Sequence, residues 1–144
     1  MGENKCGECT VCCTLSVVEE LDKKAFETCN HCILKKGCGI YNKRPKVCKD
    51  FECAYLQGGK NIEQRPDKCG VMFFKINNNI FAGVLVPGVD YTDVAKTQIA
   101  VFREQGYSVI LFKEKTKPFI ALAEGHNKEE IYLEYLKEIK IGNI

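Results

Sequence analysis

The sequence predicts an α+β chain of two unlike parts: a small, loop-rich, metal-stapled cysteine module, then a β-β-α-β-β-α sandwich. Three observations predict this. Of the ten cysteines, Cys6, Cys9, Cys12, Cys13, Cys29, Cys32, Cys38, Cys48 and Cys53 lie in the first part, Cys69 stands alone, and none follows it. Large aliphatic residues are sparse up to Leu56, so the front could bury only a thin core and needs staples. From Val71 onward, short β-rich runs alternate with runs of helical period. The expected division is residues 1–60 for the cysteine module and 61–144 for the small sandwich packed on it.

The elements follow in order. In the front part, short helices are expected at about Glu20–Glu27 and Pro45–Tyr55, the second opening on a proline whose missing N–H costs nothing there. Loops carry most of the cysteines. Gln57-Gly58-Gly59-Lys60-Asn61 reads as a flexible polar joint, and Arg65-Pro66-Asp67-Lys68 as a turn. Val71–Ile76 and Ile80–Val86 read as strands joined by the hairpin turn Asn77-Asn78-Asn79, and Pro87-Gly88 ends the second. Asp90 or Thr92 caps a helix to about Gln105, with Val94, Ile99, Val101 and Phe102 as its apolar side and Gly106 as its stop. Tyr107–Phe112 and Phe119–Ala123 form a second strand pair across the charged loop Lys113–Pro118. Asn127 caps a last helix, with Glu130 in capping-box spacing and Ile131, Leu133, Tyr135, Leu136 and Ile139 as its apolar side. The sheet is expected to be largely antiparallel.

Bulk properties narrow the function classes. The 144 residues suit one compact domain or two very small ones, and 45% hydrophobic with 28% charged residues is a globular balance. A net charge of +2 gives no reason to expect nucleic-acid binding. The longest apolar runs resemble Ile80–Val86, too short to span a membrane. Met1-Gly2-Glu3-Asn4-Lys5-Cys6 has no apolar leader character, and Cys6 stands where a myristoylation site needs Ser or Thr. A cytoplasmic location is expected.

The cysteine spacing points to metal. In Cys6-x-x-Cys9-x-x-Cys12-Cys13, tight turns let successive sulfurs face one point. Zinc sites use C-x-x-C in pairs, and iron–sulfur proteins use it in runs of three. Vicinal Cys12 and Cys13 diverge and suit different centres. The second group is Cys29-Asn30-His31-Cys32 with Cys38, and the third is Cys48 with Cys53. On one helix, a five-residue step turns about 500°, leaving those last two sulfurs roughly 140° apart. Unless the helix ends between them, they do not share one ion. The nine thiols therefore suggest one multinuclear or two separate centres, holding zinc or iron in an iron–sulfur cluster. Lys35, Lys36, Lys43, Arg44, Lys46 and Lys49 could offset the thiolate charge, although exposed lysines need no such role. A disulfide framework is the rival, disfavoured by the missing secretory signal and the strain of a vicinal bridge.

These residues resemble a family. Cys6-Gly7-x-Cys9-x-x-Cys12-Cys13, Cys29-x-His31-Cys32, and Gly37-Cys38-Gly39-Ile40-Tyr41-x-x-Arg44-Pro45-x-x-Cys48-x-x-Phe51-x-Cys53 are similar to the YkgJ-type CxxCxxCC cysteine-cluster proteins. The resemblance covers about residues 6–56 and implies a zinc- or iron-chelating module, without supplying a reaction. Arg65-Pro66-Asp67 looks like a feature of a small branch of that family, Tyr55 stands where many relatives have tryptophan, and Cys69 is outside the pattern. A flagellin lysine methylase is similar in its cysteine segment. These residues contain no Gly-rich nucleotide loop after a strand, so that activity is not carried over.

Other residues read more plainly. His31, amid excess thiols, is expected beside the metal or in solvent rather than on it. His126 is expected to face solvent, Cys69 to be a small buried residue beside a strand, and Tyr41 and Phe51 to sit under the metal loop. Arg44-Pro45 shapes a turn, and Asp90 and Asp93 belong to a helix start. No Ser–His–Asp pattern is visible. The leading expectation is thus a cytoplasmic metal-binding protein, its partners metal ions and, through residues 61–144, a protein. The alternatives are a thiol or redox enzyme or electron-transfer protein, with a reactive thiol at Cys69 or the vicinal pair, and a metal-rigidified interaction module.

Overall fold

The computed structural model describes residues 53–114 and 116–140 continuously, and Cys9, Val11, Leu21, Lys23, Cys29, Asn30, Cys32, Ile33, residues 37–39, Lys43, Lys46 and Cys48 individually. Among them are a two-stranded hairpin, β1 (Cys32–Ile33) and β2 (Gly37–Cys38), then α1 (Ala54–Gly58), a 3-10 turn (Ile62–Gln64) and α2 (Pro66–Cys69). The chain continues as β3 (Val71–Lys75), β4 (Ile80–Leu85), α3 (Asp93–Glu104), β5 (Ser108–Phe112), β6 (Phe119–Ala121) and α4 (Lys128–Lys140). The structure is of α+β class, with a four-stranded mixed sheet in the order β3-β4-β5-β6.

The outer pairs, β3 with β4 and β5 with β6, are antiparallel, while β4 and β5 run parallel in the centre. The expected largely antiparallel sheet therefore has a parallel pair at its heart. The cause is the connection: α3 carries the chain back across the sheet, so β5 enters in the direction of β4. The central strands are consequently buried on both faces. Ile80, Val109 and Ile110 are fully buried.

Each helix starts where local chemistry allows. The Thr92 hydroxyl accepts from Ala95 N–H at 3.4 Å, and Asn127 Oδ1 accepts from Glu129 and Glu130 N–H at 2.9 and 3.2 Å. The expected polar joint is shorter and more ordered than its glycines suggest. Asn61 caps the 3-10 turn in a reciprocal capping box with Gln64. Arg65-Pro66-Asp67-Lys68 enters α2, with Pro66 at its start and Gly70 closing it in the left-handed region at φ 85°. A Cβ on Gly70 would also lie 3.1 Å from the Tyr91 Cα, so the position requires glycine twice over.

One sheet face packs Val71, Phe73, Phe81, Val109 and Leu111 against Ala95, Ile99 and Phe102 of α3. Phe102 stacks on Phe81 at 4.1 Å and meets Phe73 edge-on at 5.4 Å. The other face is shared. At its β5–β6 end, Ile80, Ile110 and Ile120 pack on Ile131 and Tyr135 of α4. At its β3–β4 end, Met72, Phe74 and Val84 pack with Cys9, Val11, Cys53 and Tyr55. Front-part residues thus complete the layer that α4 covers at the other end.

Four local expectations change. Val101 and Leu133 are exposed, not core-facing. The α3 stripe is Ala95, Gln98, Ile99 and Phe102, and Leu133 lies about 200° around α4 from Ile131. Within the expected Glu20–Glu27 helix, Lys23 is in a β-bridge and buried. Within the expected Pro45–Tyr55 helix, Lys46 and Cys48 are helical, but Cys53 is extended (φ −72°, ψ 167°) and starts α1. Ile139 lies outside the residues whose side chains are described.

Candidate metal centre

Backbone hydrogen bonding relates Cys29 to Cys32 and Cys32 to Cys38. Cys32 N–H donates to the Cys29 carbonyl at 3.0 Å, closing C-x-x-C into a turn around the exposed Asn30. The β1–β2 register sets Cys32 opposite Cys38. Cys29 and Cys32 are half-buried, within reach of an incoming ion yet partly shielded from water. This suits thiolate ligation.

Cys48 and Cys53 follow a different logic. Since Cys53 is extended, no continuous helix runs through both residues. The angular reason for assigning them to separate centres does not apply here.

Cys9 and Cys53 are buried together with Tyr55 and Met72. Burial pushes the Cys53 thiol up, partly offset by the backbone N–H groups of Leu56 and Tyr55 near the start of α1. The Asp67 carboxylate takes a two-pronged grip from Arg65: Nε to Oδ1 at 2.5 Å and Nη2 to Oδ2 at 2.8 Å. Burial would push the Asp67 carboxyl up. The hydrogen bonds and charge of Arg65 outweigh it and hold the group below the usual carboxylate range.

Cys69 is fully buried on the α3 side of the sheet. Its thiol donates to the Val71 carbonyl at 3.2 Å and more weakly to that of Gln64 at 3.6 Å, and burial pushes it up. A reactive cysteine needs the opposite: exposure and a stabilised thiolate. Cys69 therefore has none of the attributes of a nucleophile.

Among the described residues, no group of three or more His, Cys, Asp or Glu side chains is arranged to hold a metal ion. Cys6, Cys12, Cys13 and His31, together with the Cys38 side chain, lie outside those residues. Of the basic residues expected near the thiolates, Lys43 and Lys46 are exposed, and Lys35, Lys36, Arg44 and Lys49 lie outside. Among the described residues, Lys23 and Arg65 are buried cations, which the spacing of the cysteines could not reveal.

A second polar pair was also invisible in the sequence. His126 does not simply face solvent; its Nδ1 is 2.7 Å from the hydroxyl oxygen of Ser108. That oxygen also accepts Ala123 N–H at 2.9 Å. Ser108 is fully buried, and the pair ties β5 to the turn before α4. Among the described residues, no helix is long and apolar enough to cross a membrane. The chain matches no protein-family model, no curated protein and no solved structure.

Proposed function

We propose that this chain is a cytoplasmic metal-binding protein whose clustered cysteines hold zinc or an iron–sulfur centre. The observation that carries this reading is the hairpin: a closed Cys29–Cys32 turn whose second cysteine is in register with Cys38. Cys6, Cys9, Cys12, Cys13, Cys48 and Cys53 complete the donor set. Thiolates are the ligands both metals prefer, and such sites need turns that aim sulfurs and N–H groups at one point. The YkgJ-type resemblance of residues 6–56 agrees with it.

The first task of the metal is to hold the front part together. In small cysteine modules, metal affinity becomes folding free energy, on the order of 10–16 kcal/mol for structural zinc in finger peptides. Zinc surrounded by four thiolates has no open position, which limits it to scaffolding. An iron–sulfur centre would add electron transfer or redox sensing.

Anaerobic purification with absorbance and elemental analysis tests the reading. A colourless protein with stoichiometric zinc, or a brown one with iron and sulfide, supports it and chooses between the metals. Absence of bound metal, both as purified and after reconstitution of the reduced chain, would sink it.

A further inference from the structure

The four-stranded sheet ends at β6, and among the described residues no strand pairs with its outer side. Which backbone groups face that edge follows from β5. Ser108 N–H donates to the Asn79 carbonyl, on the β4 side, at 2.8 Å. Successive strand residues turn their backbone groups to alternate sides, so Val109 and Leu111 bond β6 through their partners Ala121 and Phe119. Ile120, between those two, therefore turns its N–H and C=O outward. The Leu122 carbonyl, two residues on, follows the same direction and accepts Arg103 Nε–H at 2.7 Å.

Two further features mark this edge. Phe119 is 66% exposed, more than any other large apolar side chain among the described residues. Charge is also divided along the strand. Exposed Lys113 and Lys117 precede β6, with the half-buried Glu114 between them. Exposed Glu124, Glu129 and Glu130 follow it, with one lysine, Lys128. A parallel strand of the same sequence would set like charges together. An antiparallel one sets each basic flank on the other's acidic flank.

We propose that the β6 edge is the docking surface for a second copy of this chain, joined antiparallel about a two-fold axis through Ile120. The pairing uses none of the cysteines and does not depend on what they bind. Ile120 of each copy exchanges N–H···O=C bonds with Ile120 of the other. Pro118 then lies opposite Leu122 and has no N–H to offer its carbonyl, which Arg103 already satisfies. Phe119 comes opposite Ala121, a large side chain over a small one, and Lys117 comes beside Glu124. The two sheets become one. A short edge flanked by Lys and Pro is also how a sheet resists indiscriminate pairing. Here those residues leave one register open, and a two-fold contact closes on itself, so assembly stops at the dimer.

Sedimentation equilibrium of the reduced full-length chain over a range of concentrations tests the proposal. The variants are Lys117→Glu and Glu124→Lys, both at exposed positions, with far-UV circular dichroism to check that the sheet is intact. The wild type is expected to dimerise, and its Ile120 amide to exchange more slowly with solvent as concentration rises. Each variant alone is expected to dimerise about tenfold more weakly, because two symmetric attractions become repulsions. Salt should narrow that difference. Mixed in equal amounts, the two variants are expected to form a mixed dimer, since each contact again joins opposite charges. A wild type that is monomeric at every concentration, a dimer indifferent to both substitutions, or variants that do not pair when mixed would each overturn the proposal.

Discussion

Gly83 sits in the middle of β4 with Phe73 opposite it on one neighbouring strand and Leu111 on the other. The missing side chain is what lets these two large residues close over the strand. A Cβ at Gly83 would lie 2.8 Å from Leu111 Cδ2 and 3.0 Å from Phe73 Cδ1 and Cε1. Carbon atoms prefer about 3.5–4.0 Å, so Gly83→Ala forces both neighbours to give way inside a packed core. Overpacking of this kind costs about 1–3 kcal/mol, while removing glycine from the unfolded chain returns about 0.4–1 kcal/mol. With each term at the middle of its range, the net expectation is destabilisation of about 1.3 kcal/mol. Urea unfolding followed by far-UV circular dichroism reads this as a lower midpoint with an unchanged slope. Leu111→Val removes the nearest clashing atom, so the double variant should be more stable than the two single losses predict, by about 0.5 kcal/mol or more. A Gly83→Ala protein as stable as wild type, or strict additivity with Leu111→Val, would refute this account of the sheet.

Two further outcomes are expected. Ser108→Ala should destabilise the protein by about 1–3 kcal/mol, because it leaves the Ala123 N–H without its acceptor, and hydrogen exchange at that amide should accelerate; His126→Ala should cost less, since the ring is only half-buried. Cys69, fully buried with its thiol pushed up, should resist alkylation in the native protein and react on unfolding, as read by mass spectrometry of the labelled peptides. Equal labelling rates in buffer and in urea would show that the thiol is accessible after all.

The elements of the back part were legible in the sequence because their signals are local. The Asn77-Asn78-Asn79 turn, the Thr92 and Asn127 caps and the alternating runs around them act within a few residues of where they stand. The helix faces were less so. Val101 and Leu133 are apolar yet exposed, whereas Gln98 takes a buried place on α3, because the angle around the axis decides burial.

By itself, the sequence determined where strands and helices form after Val71, and it crowded thiols into a front with few large aliphatic residues. Only the tertiary structure decided which strands are neighbours, because the α3 crossover sets the parallel direction of β5 beside β4. It also decided which residues far apart in sequence meet: Tyr55 on Met72, Ser108 with His126, and Cys9 in one buried cluster with Cys53. No periodicity marks such contacts. They exist because burying a hydroxyl, a guanidinium or a thiol requires a partner, and the fold alone determines which partner comes within reach. The cysteine spacing was legible in the sequence, and the two-pronged pairing of the buried Arg65 with Asp67 was not.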